Sequence, residues 1–117
     1  MRQNIASLVI DAETLKAIDG TLTALEKQLE DFIELSAEQR RELLKLGPKS
    51  EVFCRETLSV MERSPGALPV DFDMDAVRED REALDQVRPI LSRLRMLTSR
   101  ANDTEMALGS DLYKAAL

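Results

Sequence analysis

The sequence predicts an all-α protein, an up-down antiparallel bundle of three to four helices, and three observations predict it. Leu15, Ile18, Leu22, Leu25, Leu29 and Phe32 recur at three-four spacing, which puts all six on one stripe of a helix with 3.6 residues per turn. Val77, Leu84, Val87, Leu91 and Leu94 form a second stripe at heptad spacing near the other end of the chain. The composition, 44% hydrophobic and 32% charged with 3% aromatic residues, leans the same way, because strands are enriched in aromatic and β-branched side chains. A chain of 117 residues fits a single domain over positions 1–117.

Residues 1–10 show no clear period, so Ile5, Leu8, Val9 and Ile10 form either a loose arm or one extra helical turn. The first long helix starts at Asp11 or Thr14, both suited to capping its N-terminus, and is expected to run to about Leu35. Gly20 falls opposite the stripe, where it lowers helix propensity without interrupting packing. Ser36-Ala37-Glu38-Gln39 reads as a capping box that opens a second helix. Gly47-Pro48 closes that helix and starts a third, to about Arg63; the alternative is one helix over 37–63 kinked at Pro48. Ser64 to Pro69 is a loop, because two prolines and a glycine cannot continue a helix. Asp71 or Asp73 then caps the long C-terminal helix, which Pro89 or Asn102 is expected to bend or break. The two long stripes are expected to meet as the main seam of the bundle, and a chain with two seams can also form a homodimer.

Several kinds of chemistry are removed by what the chain lacks. Without histidine there is no Ser-His-Asp triad, no diiron Glu-x-x-His site and no histidine-based zinc site. Cys54 is the single cysteine, so no intrachain disulfide forms, and its place beside Phe53 suits a buried structural thiol. A net charge of -6 argues against general nucleic-acid affinity. The short apolar run near the start is too brief for a signal peptide, and no stretch is long enough to span a membrane, so a cytoplasmic location is expected.

Three local patterns require a closer test. Asp71, Asp73, Asp75 and Glu82 stand at the spacing of EF-hand ligands, but Ala76 replaces the required glycine, and helix capping accounts for these acids better. Gly47-Pro48-Lys49-Ser50 is not a phosphate loop, since Pro48 takes a glycine position and a helix precedes it. Asp80 interrupts the second stripe and is expected to pair with a base on a neighbouring helix. Arg88, Arg93, Arg95 and Arg100 lie in a stretch, 86–101, that contains no acid, whereas residues 1–35 carry seven acids and three bases.

The segments Leu46-Gly47-Pro48-Lys49-Ser50-Glu51-Val52-Phe53, Val70-Asp71-Phe72-Asp73 and Asp103-Thr104-Glu105-Met106-Ala107-Leu108-Gly109-Ser110-Asp111-Leu112-Tyr113 together resemble a group of small bacterial helical proteins with Gly-x-Lys-Ser-x-x-Phe and Asp-Thr…Gly-Ser-x-x-Tyr segments. The resemblance implies no activity, cofactor or catalytic residue. It draws attention to Gly47, Lys49, Ser50, Asp103, Thr104, Gly109, Ser110 and Tyr113, which either permit close helix crossing or contact a partner; Arg93 joins them as a candidate. The expected function is non-enzymatic, a helical bundle that acts by protein-protein interaction as adaptor, assembly or structural subunit. The alternative is a small-molecule or anion binder that uses Arg88, Arg93, Arg95 or Lys49 with Ser50 and Tyr113.

Overall fold

A computed structural model describes residues 5–117, and the described chain is helical with no strand. Residues 1–4, part of the expected arm, lie outside the described residues. The elements are α1 (Ala12–Gln28), α2 (Ala37–Glu42), α3 (Pro48–Arg63), a 3-10 turn (Pro65–Ala67) and α4 (Met74–Ala116). The chain divides into two compact units, residues 44–98 on the one hand and residues 1–43 with 99–117 on the other.

Each helix start has a chemical cause. Asp11 caps α1, its carboxylate accepting the Thr14 N–H at 2.7 Å. The Ser36 hydroxyl accepts the Gln39 N–H at 3.1 Å while the Gln39 side chain accepts the Ser36 N–H at 2.8 Å, so both halves of the capping box form. Pro48 occupies the first turn of α3, where its missing N–H costs nothing. At the start of α4, Asp73 accepts the Ala76 N–H at 3.0 Å.

Two helices stop earlier than their apolar pattern predicts. α1 ends at Gln28 and not near Leu35, with Phe32 beyond it. Lys27 suits the negative C-terminal end of the helix dipole, whereas continuation would place Glu30, Asp31 and Glu34 there. The chain must also turn extended at Ser36 (ψ 163°) to cap α2. α2 ends at Glu42, where Leu43 turns extended (ψ 139°), and Gly47 (ψ 176°), the residue before a proline, disfavours helical geometry and separates α3 from it. α2 and α3 are therefore separate helices and not one kinked rod. α4, in contrast, continues past both Pro89 and Asn102 without a break. The proline removes one main-chain donor, and the helix-favouring runs of Glu, Ala, Leu and Arg on either side outweigh that loss.

Within residues 44–98, α3 and α4 run antiparallel. Residues further along α3 pair with residues earlier on α4: Glu51 with Arg88, Arg55 with Asp85, and Glu62 with Arg81 and Arg78. The half-covered apolar residues Leu58 and Met61 on α3 and Met74, Val77, Leu84, Val87 and Leu94 on α4 follow the same faces.

Within the other unit, the main-chain N–H groups of Ile5 and Ala6 donate to the Asp111 carboxylate at 2.8 and 3.1 Å, which ties the segment before α1 to α4. The α1 stripe remains open: Leu15 is 57% exposed, Ile18 44% and Leu22 51%, with Leu25 and Leu29 half-buried. Among the described residues none is buried outright.

Candidate functional site

The strongest electrostatic cluster lies between α3 and α4, and of its components the sequence offered only Arg88 as a candidate. Glu51 is its hub. Its two oxygens accept two guanidinium N–H groups of Arg88 at 2.6 and 2.7 Å, the paired geometry that makes arginine–carboxylate bonds directional. Arg55 donates to Glu51 at 2.9 Å and to Asp85 at 2.7 Å, so one guanidinium joins both helices. Hydrogen bonds from Arg88 and then Arg55 hold the Glu51 carboxyl down to about 2, and Arg55 holds Asp85 below the usual carboxylate range. About three helical turns further along α3 from Glu51, Glu62 accepts Arg81 and is lowered in the same direction, chiefly by that bond.

A cavity of about 200 Å³ lies beside this cluster, bordered by Leu46, Cys54, Leu58, Val77, Asp80 and Leu84 together with Glu51, Arg55 and Arg81. It is smaller than the 300–1,000 Å³ of typical ligand pockets, and the charged groups at its edge, Asp80 apart, already engage one another. Cys54 is half-buried on this wall. Asp80 does not make the expected ion pair among the described residues; the nearby Arg55 and Arg81 are engaged by Glu51, Asp85 and Glu62.

The sequence-derived candidates separate by role. The Ser50 hydroxyl accepts the Gly47 N–H at 2.7 Å and donates back to the Gly47 carbonyl at 3.1 Å, a local clasp at the start of α3. A methyl group added at Gly47 would meet only the Ser50 hydroxyl, at an ordinary 3.7 Å. Thr104 donates to the Arg100 carbonyl at 2.8 Å, a bond within α4. Gly109 makes no close crossing among the described residues, of which none lies within 4 Å of where a Cβ would stand. Arg88, offered as an anion ligand, is occupied by Glu51. Lys49, Arg93, Asp103 and Tyr113 are exposed. Gly47, Lys49, Ser50 and Arg93 belong to residues 44–98, whereas Asp103, Thr104, Gly109, Ser110 and Tyr113 belong to the other unit.

Of the four acids at EF-hand spacing, Asp73 caps α4 and Asp75 accepts Arg78 at 2.8 Å. Among the described residues no group of three Asp, Glu, Cys or His side chains stands close enough to hold a metal ion. No described helix is long and apolar enough to cross a membrane.

An apolar surface surrounds Gly109: Met106 and Leu112 are 74% and 73% exposed, and an open groove of about 840 Å³ runs between residues 6–9 and the α4 residues Leu108, Asp111, Leu112 and Ala115. Like the α1 stripe, this surface offers water-excluding contact. No protein-family model, curated protein or solved structure matches the chain.

Proposed function

We propose that this chain is a non-enzymatic helical protein that works by protein-protein contact, as an adaptor, assembly or structural subunit. The observation that carries the reading is the open stripe of α1, where Leu15, Ile18 and Leu22 stand at helical spacing and are about half exposed. Apolar area in water costs roughly 25 cal/mol per Å² relative to a covered state, and an amphipathic helix laid in a groove is a common way to recover it. The up-down bundle that the heptad pattern calls for, with a bend at Pro89, belongs to this reading: it closes when the α1 stripe is covered. So do a cytoplasmic location, where the single thiol stays reduced, and membership of the bacterial group whose segments this chain resembles.

The test is in-cell photo-crosslinking of the full chain with a photoreactive amino acid in place of Leu15, Ile18 or Leu22. Discrete protein adducts that disappear when a second stripe residue is made acidic, as in Leu25→Asp, support the reading. Absence of any protein adduct from all three positions removes it.

A further inference from the structure

α1 and the stretch of α4 from Ile90 to Arg100 carry apolar stripes with opposite charge at their edges. On α1, Asp19 and Glu26 border the stripe; they are exposed, seven residues apart, and form no ion pair among the described residues. On α4, Ile90, Leu94 and Leu97 form a stripe that is bordered by Arg93 and Arg100, also exposed, seven residues apart and without an ion pair among the described residues. Arg95 is exposed too, but it lies away from this stripe. The other arginines of α4 differ, since Arg78, Arg81 and Arg88 each engage a carboxylate. Ile90 is 37% and Leu97 56% exposed, so this stripe is open as well.

Seven residues span about 10.5 Å along a helix, so the two acids and the two arginines are in step with each other. Charges that flank an apolar seam decide which helices pair: side by side in parallel, the α1 edge with Asp19 and Glu26 meets the α4 edge with Arg93 and Arg100, whereas two antiparallel α1 helices would set acid against acid. We propose that α1 of one copy docks on the Ile90 to Arg100 face of a second copy, stripe on stripe, with Asp19 and Glu26 meeting Arg93 and Arg100. This names the partner within the protein-contact reading above and rests on it. Each copy presents both faces, so each copy can take part in two such pairings.

Sedimentation velocity of the full chain across micromolar concentrations tests the proposal. Self-association that grows with concentration and weakens at high salt is expected, because salt screens exposed charges. The doubly reversed chains Asp19→Lys with Glu26→Lys, and Arg93→Glu with Arg100→Glu, each lose self-association by about tenfold or more. Mixed together they associate again, since both docking sites regain opposite charges, and circular dichroism of each variant alone checks that both keep the wild-type helicity. A wild-type chain that is monomeric throughout, or reversed chains that remain apart when mixed, overturns the proposal. Monomers that still give adducts to a different protein from the α1 positions overturn it and leave the broader reading in place; loss of all adducts removes both.

Discussion

The unit of residues 44–98 and the unit of residues 5–43 with 99–117 are built from the same kind of amphipathic helix, and they treat their apolar faces differently. In the first, α4 has α3 beside it, and arginines and carboxylates link the two helices from Glu51–Arg88 to Glu62–Arg78. In the second, the α1 stripe stays open, and the tie between distant parts of the sequence is the Asp111 carboxylate with the Ile5 and Ala6 amides. An apolar stripe is non-directional and accepts any other stripe. Complementary charges placed along its edges select one partner and one register. The α3–α4 pair has them within the chain, and α1 is bordered by acids that lack a counterpart among the described residues.

The widest separation between the units is expected from Glu51. Its carboxyl is held at about 2 against an ordinary 4.5, first by Arg88 and then by Arg55. A lowered folded-state value stabilises fully above the ordinary value and is lost as pH falls toward the lowered one. Methyl NMR of Leu58 and Leu84 should therefore report loosening of α3 from α4 between pH 4.5 and 2, with Glu62 and Asp85 acting in the same direction. Glu51→Gln should loosen the same signals already at neutral pH and flatten the acid response, while signals from Leu15 and Ile18 stay unchanged. A common response in both units would break the distinction.

A smaller effect is expected from Leu84→Ala. Leu84 is half-buried beside the cavity, so denaturant unfolding should show a loss of about 1 to 2 kcal/mol, less than the 2 to 5 of a fully enclosed leucine. A full-sized loss would mean that apolar packing, and not the charged clasp, dominates this unit. The smallest effect has the opposite sign. Gly109→Ala should stabilise α4 by about 0.5 to 1 kcal/mol, because the added methyl has no neighbour within 4 Å among the described residues and alanine restricts the unfolded chain. Destabilisation, or weakened self-association, would instead mark Gly109 as the site of a close contact with another molecule.

The helix starts were legible in the sequence because they depend on neighbours: Asp11 with Thr14, Ser36 with Gln39, Pro48 after Gly47, and Asp73 with Ala76. The ends of α1 and α2 were less so. There the apolar spacing continues through Phe32 and Leu46, while acids at the dipole's negative end and the residue before proline stop the helix. The tertiary links were legible only in retrospect. Glu51, Arg55 and Glu62 share one face of α3, and Arg78, Arg81, Asp85 and Arg88 recur at three-four spacing on α4, but isolated periodicity does not say which face meets which. Asp111 was noted as part of a motif, and nothing local shows that it accepts amides from residues 5 and 6. The candidate polar residues Ser50 and Thr104 are accounted for by bonds within one turn, whereas Lys49, Arg93, Asp103 and Tyr113 are exposed and have no such side-chain bond among the described residues.

Cys54 gives the α3–α4 pair a practical consequence. It is the chain's single cysteine and lines the cavity between Leu58, Val77 and Leu84, so a thiol reagent has one address in the protein. Because the thiol is half-buried, its rate of modification reports how well α3 and α4 shield this wall from solvent, read without adding a label site or altering any residue of the clasp.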